Sequence, residues 1–319
     1  MMRSVLAAAL LLPLACAAQQ WPSKPVTLMV GFTPGGGADA VARVLGAALG
    51  PVLGQTVVIE NRPGAGSSLA ASIVARSAPD GYTVLIASPS AIQVNPILMG
   101  KVGYDAGRDF APVTQLVESP LIIAANMDMK VNTLDELVAR VKKEPGKFSY
   151  SSSGIGSASH LAGQLFEEAT GAELLHVPYK GGAPAIQAVV GGETQIAFAS
   201  PPSVLGFLKA DRLKGLAVTD TERLQVVSNL PGIEEAGLPQ FRLPQWYGLF
   251  VPGQTPREVR EKLFAATRTA LQSPGVAETL MREGNRVQLS PSPEAFASFL
   301  AEDAKFWTQT LRRAGIKAE

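Results

Sequence analysis

Cysteine is nearly absent: Cys16 stands alone in 319 residues. No disulfide can form within the chain, and beyond that one position thiolate chemistry is excluded. Histidine is almost as scarce, with only His160 and His176. A zinc centre of the usual type needs at least three His, Cys or substituting carboxylate ligands, so neither a metal nor a cofactor is expected. Charge of one sign is missing as well, since 28 Lys and Arg face 27 Asp and Glu. A nucleic-acid partner would require a basic patch, and none is present. After the first eighteen residues no run reaches the ~18 apolar residues of a membrane span.

Those first residues have their own pattern. Arg3 gives a positive start, Val5–Leu14 is almost wholly apolar, and the small residues Ala15-Cys16-Ala17-Ala18 follow. This is the layout of a secretory signal, with an apolar core too short to span a bilayer. Residues 1–18 are therefore expected to be removed on export to the periplasm, leaving a chain that starts near Gln19. A lipid anchor on Cys16 competes with this reading. Pro13 stands where a lipoprotein signal usually carries a Leu-like residue, and argues against the anchor.

About 300 residues remain, too many for one small core and suited to two lobes. Short β-rich runs alternate with helical runs, which predicts α/β lobes built on mostly parallel sheets. Strands are expected at Val26–Phe32, Thr56–Ile59 and Tyr82–Ala87, with helices at Ala38–Gly50 and from Ser67 to Arg76. A second block runs from the strand Leu121–Ala125 through the helix Thr133–Lys143 to the strand Leu216–Thr219. A strand Trp246–Val251 and helices Thr255–Gln272 and Pro293–Ala314 close the chain. In the last helix Phe296, Phe299, Leu300, Trp307 and Leu311 make an apolar stripe, read as core. Lobe 1 is assigned to 19–119 and 246–319, lobe 2 to 120–245, with two chain crossings near Val117–Leu121 and Pro244–Val251. The last helices are expected to pack back on lobe 1.

Glycine-rich strand-to-helix junctions carry the candidate chemistry. The first holds Phe32, Pro34, Gly35, Gly36 and Asp39; the second Pro63, Gly64, Ala65 and Gly66; the third Ser153, Gly154, Gly156, Ser157 and His160. Unpaired N–H groups at a helix start, with the positive end of its dipole, favour an anion. Glycine lets the backbone approach that anion closely. Each junction taken singly is also an ordinary tight βα turn. A fourth carries Tyr179 and Gly182, with Tyr179 read either as a pocket wall or as a half-buried core ring. Ser88, Ser90, Ala199 and Ser200 follow strands at the carboxyl ends where ligands of open α/β sheets gather.

Two rival chemistries use the same residues. Gly35-Gly36-Gly37-Ala38-Asp39-Ala40 fits a dinucleotide fingerprint, with Glu60 about twenty residues on. Export counts against it, because nicotinamide cofactors are cytoplasmic. Ser157 and His160 lie i,i+3 and could form part of a secreted hydrolase. The context Gly154-Ile155-Gly156-Ser157-Ala158 is not G-x-S-x-G, and no third residue orients the histidine.

At these junctions, and from Trp21-Pro22 to Ala314-Gly315-Ile316, the chain resembles the Bug family, the TctC-like receptors of tripartite tricarboxylate transporters. The resemblance rests on Pro34-Gly35-Gly36 with Asp39, Asn61-Arg62-Pro63-Gly64-Ala65-Gly66, Asp109-Phe110-Ala111-Pro112-Val113, Gly154 to Leu161, and Val177-Pro178-Tyr179-Lys180-Gly181-Gly182. It implies a two-lobe periplasmic binding protein of type II-like fold, without enzymatic activity. It also implies a monomer that takes a small carboxylate into the cleft and passes it to membrane transporter subunits. The carboxylate is expected between Pro34–Gly36 and Pro63–Gly66, with Gly156 and Ser157 closing from lobe 2.

Overall fold

The structure, a computed structural model, describes residues 21–316. The leader expected at 1–18, Cys16 included, lies outside the described residues. The first run of elements is β1 (Val26–Val30), α1 (Gly37–Leu53), β2 (Val57–Asn61), α2 (Ser68–Ala75) and β3 (Thr83–Ala87). A π-helical turn (Ser90–Val94) then leads into α3 (Asn95–Leu98) and β4 (Phe110–Glu118). Next come β5 (Ile122–Asn126), α4 (Leu134–Lys143), β6 (Ser149–Ser152), α5 (Ala158–Thr170) and β7 (Leu175–Pro178). They are followed by α6 (Gly182–Gly191), β8 (Ile196–Ala199), α7 (Pro201–Lys209) and β9 (Leu213–Val218). The chain then runs through β10 (Trp246–Pro252), α8 (Arg257–Leu271), α9 (Pro274–Arg282), β11 (Arg286–Val287) and α10 (Pro293–Arg313).

Two sheets result, each the centre of a lobe. The first has the order β11-β4-β10-β3-β1-β2, the second β7-β6-β8-β5-β9. β1 runs parallel to β2 and β3, and β6 parallel to β7 and β8. The strands next to the crossings, β5 and β10, are antiparallel to their neighbours. Central strands covered on both faces read as near-continuous apolar runs, and β1 (Val-Thr-Leu-Met-Val) is almost fully buried. On α1 the spacing of Val41, Leu45 and Leu49 puts all three in the lobe 1 core. Thr133 caps α4 by accepting from Glu136 N (3.2 Å), while Glu136 Oε2 accepts from Asn132 N (2.7 Å).

Three elements escape a reading by pattern. β4 carries Pro112, which demotes a strand, and the structure places it where the β4–β10 register shifts. α7 opens on Pro201-Pro202, which reads as loop but suits the first helical positions, where no N–H is needed. α9 likewise starts at Pro274 after a single turn.

The last helix corrects an expectation. α8 packs on α1 in lobe 1, as the pattern suggested. α10 does not stay there. Phe296 joins the lobe 1 cluster, its ring 5.8 Å from Trp246 and 5.4 Å from Phe250. Three turns later Trp307 and Leu311 lie in the lobe 2 core with Phe166 and Phe198. Arg313 pairs with Glu168 of α5 (3.0 Å). A helix of 21 residues is ~30 Å long, enough to reach from one core to the other. The lobes are thus joined by two crossings and a helical strut. Gly248 lets the strut seat closely, because a Cβ there would stand 2.5 Å from Phe296 Cζ.

Candidate functional site

Between the lobes lies a cavity of about 60 Å³, the space of roughly four to six waters. Lobe 1 contributes Phe32, Gly36, Gly37 and Ala38 where β1 passes into α1, and Ser88 and Ser90 after β3. Lobe 2 contributes Ser151, Ser153, Ala158 and Ser159 around the β6–α5 junction, with Gly182, Ala185 and Ile186 of α6. Ala197, Phe198, Ala199, Ser200 and Ser203 come from the β8–α7 junction, and Leu121, Gln245 and Tyr247 from the crossings. All of these junctions lie at strand carboxyl ends, so the sheets aim their helix starts into one space.

No charged side chain lines it. Its polarity comes from hydroxyls and helix ends. Ser88, Ser90 and Ser151 are 1–2% exposed, and their hydroxyls have no hydrogen-bond partner. A buried hydroxyl without a partner costs about 1–3 kcal/mol, so three on one cavity need an explanation. α1 and α6 begin on Gly36 and Gly181, which offer no side-chain cap to the first amides. The α6 dipole meets no acidic residue in its first turn, whereas α1 carries Asp39 in its first turn.

The lobes meet around this space. Gly37 N donates to Ser200 Oγ across the cleft (3.1 Å). A Cβ on Gly66, whose φ is 55°, would stand 2.7 Å from Ile155 O of lobe 2. Gly156, at φ 73°, is packed so closely on Asn95 that any Cβ would collide with the amide oxygen. Asn95 is itself fixed by donating to Ala65 O, Gly66 O and Ser68 Oγ (2.9–3.1 Å). The clamp is closed in this structure.

Of the residues expected from the sequence, Phe32, Gly36, Ser88, Ser90, Ser153, Gly182, Ala199 and Ser200 line the cavity. The others do not, for distinct reasons. Pro34 and Gly35 are exposed beside it. Asp39 serves its own loop: its carboxylate accepts from Gly35 N (3.0 Å), Asn61 Nδ2 (3.0 Å) and Arg43 Nε (2.9 Å). Burial alone would raise the Asp39 pKa, but the bonds from Arg43, Gly35 and Asn61 outweigh it and hold the carboxyl below its usual range. Pro63, Gly64 and Ala65 are exposed, and Gly66 abuts Ile155 and Gly156, so the second loop is a lobe contact. Gly154 and Gly156 shape the opposing turn. Ser157, expected to face the anion, instead caps α5 by accepting from His160 N (3.3 Å). His160 is fully buried; Nδ1 accepts from Gly156 N (3.1 Å) and its ring stacks on His176 at 4.3 Å. Tyr179 donates to Glu193 Oε2 (3.0 Å) away from the cavity. The cavity lies beside Gly36–Ala38 and the two serines after β3, and not between the first two loops.

The sequence reading missed Gly37, Ala38, Leu121, Ser151, Ala158, Ser159, Ala185, Ile186, Ala197, Phe198, Ser203, Gln245 and Tyr247. Ser151 could have been found by alternation along β6, whose alternate residues face opposite sides of the sheet. Gln245 and Tyr247 belong to a crossing and carry no motif. Burial pushes the Tyr247 phenol up to about 12, so it stays a neutral donor. Glu60, the acidic residue of the dinucleotide pattern, pairs with Arg62 (2.6 Å) and lines no part of the cavity.

Two sheets hinged by crossings around a closed interlobe cavity define a two-lobe binding protein of the periplasmic type. The solved periplasmic binding protein BugD is 33% identical, with a TM-score of 0.88 over 94% of this chain and all of its own. Residues 41–316 match the tripartite tricarboxylate transporter family receptor, and the chain belongs to that family. It is a solute-binding receptor and not an enzyme. Protein BugT of Bordetella pertussis (strain Tohama I) is 33% identical over 94% of this chain and 92% of its own length. The structure of R. palustris Rpa4515 with adipate is 32% identical, with a TM-score of 0.89 over 93% of this chain and 99% of its own.

Proposed function

We propose that this receptor captures a small carboxylate in the cleft and delivers it to the membrane subunits of its transporter from the periplasm, after loss of residues 1–18. The observation that carries the reading is the set of three unpartnered buried hydroxyls, Ser88, Ser90 and Ser151, in a cavity walled by both lobes. A carboxylate accepts from hydroxyls and from uncapped helix amides, and needs no cationic side chain to do so. The adipate in a solved neighbour supports the same chemistry. The proposed site is Phe32, Gly36–Ala38, Ser88, Ser90, Ser151, Ser153, Gly182 and Ala199–Ser200. Lobe 1 comprises 19–119 and the chain from 246 up to the strut, lobe 2 comprises 120–245, and the receptor works as a monomer.

Thermal melting of the purified mature chain against a panel of carboxylates tests the reading. A ligand that binds only the folded clamp raises the midpoint in proportion to the logarithm of its concentration, and mass spectrometry recovers it unchanged. A panel that leaves the midpoint flat, or an acid that is chemically converted, would overturn it.

A further inference from the structure

A second fastening between the lobes lies outside the cleft cavity. The turn from α9 to β11 belongs to lobe 1, where β11 edges the first sheet, yet it packs against lobe 2. Gly284 in that turn, at φ 76°, sits so close that a Cβ would stand 2.5 Å from Pro201 and 3.4 Å from Val226. Pro201 follows Ser200, whose Oγ accepts from Gly37 N across the cleft. The turn therefore backs the residue through which lobe 2 meets the start of α1.

Arg286, two residues on, carries the charge of this contact. In the lobe 1 sheet it stands opposite Glu118 and pairs with it (3.0 Å). Its other partners are Asp220 and, at 2.7 Å, Glu222, which follow β9 in lobe 2. A rotation of lobe 2 about the crossings leaves the Glu118 pair intact, because both of its members move with lobe 1. The pairs to Asp220 and Glu222 cannot survive it unchanged. Opening draws Ser200 away from Gly37, and with it Pro201 away from Gly284. None of these four charged residues lines the cleft cavity.

We propose that Arg286 is the latch of the clamp: from outside the cleft, it sets how often the two lobes part. It is a positioning residue for capture, since it acts on the cleft only through closure. Without the cation, Asp220 and Glu222 of one lobe would face Glu118 of the other, and like charges would favour the open state.

Amide hydrogen exchange at Gly37 in the unliganded mature protein provides the test, because that N–H is bonded across the cleft and exchanges when the lobes part. Arg286→Glu replaces the cation by a further carboxylate and should speed this exchange about ten-fold or more. Asp220→Asn combined with Glu222→Gln should speed it about three-fold, the scale of partly exposed ion pairs. Glu118→Gln removes only the partner within lobe 1 and should leave the rate within about two-fold, while Arg286→Lys should keep most of the protection. Small-angle scattering should give Arg286→Glu the larger radius of gyration, with circular dichroism confirming that both lobes stay folded. Unchanged exchange at Gly37 in Arg286→Glu overturns the latch. So does a Glu118→Gln rate as fast as that of the lobe 2 variant, which would make the cluster a local brace of lobe 1. No ligand enters the test, so its failure leaves carboxylate capture standing.

Discussion

Two gaps separate the lobes, and they share one residue, Gln245. The cleft cavity is small, about 60 Å³, without a charged lining residue and with three hydroxyls unpaired. The gap beside the crossings and α10 is far larger, about 500 Å³, and is rich in charge. Several of its charged groups are already engaged. Arg286 binds Glu118 (3.0 Å), Glu222 (2.7 Å) and Asp220, and Trp246 Nε1 donates to Asp303 (3.2 Å). The contrast is between a neutral cleft that keeps unpaired hydroxyls, which is the site proposed for the ligand, and a larger gap whose polarity comes from charged side chains.

The comparison can be broken first at the lobe contact. Gly156→Val puts a branched side chain against Asn95 at a backbone angle that favours glycine. The clamp should then fail to close, and affinity should fall about a hundred-fold or more, the equivalent of ~2.7 kcal/mol. The measurement is calorimetry, with circular dichroism to confirm that the lobes remain folded.

Removing cleft hydroxyls comes next. Ser88→Ala and Ser90→Ala should each weaken the acid about ten-fold or more, since a hydrogen bond to a charged group contributes ~1.5–3 kcal/mol. The unliganded protein should melt at the same temperature or slightly higher, because each change deletes an unpaired buried hydroxyl. A structural serine would behave in the opposite way, losing stability while affinity held.

On the other side of the comparison, Asp303 should report on pH and not on ligand. Burial pushes its pKa up to about 7, and the Trp246 indole N–H offsets this only in part. The folded state then holds a proton that the unfolded state releases near the ordinary value of ~3.9. Stability from this group is complete below about pH 4 and is lost as pH rises to about 7. Asp303→Asn should flatten that part of the melting profile. The smallest effect belongs to Arg286→Met. Its partly exposed cluster (38% exposed) should contribute about 1 kcal/mol or less, a midpoint change of ~2–4 °C at most that shrinks in high salt.

Much of this was legible in the sequence. The βα rhythm and the apolar spacing on α1 specify the lobes, because each strand and helix buries a face of fixed period. What escaped followed from proline and from tertiary packing. Pro112 and Pro201-Pro202 hid a strand and a helix, and nothing local in α10 says that Phe296 and Trp307 enter different cores. At the cavity, the strand ends marked in the sequence supply lining residues, while the glycines of the second and third loops lie outside the lining. Pro63–Gly66 and Gly154–Gly156 look like anion loops, but they are shaped to fit each other. Ser157 and His160 look reactive, but they hold the turn before α5. Ser151 carries no glycine signal; alternation along β6 and its burial without a partner are what point to it.

The central claim is that the cleft reads negative charge through neutral donors. Calorimetry of the tightest-binding acid against its methyl ester, at fixed pH and salt, tests it most directly. The account predicts that the ester binds ten- to a hundred-fold more weakly or worse, the loss expected when hydrogen bonds of ~1.5–3 kcal/mol lose their charged acceptor. An ester that binds as tightly as the acid would contradict it.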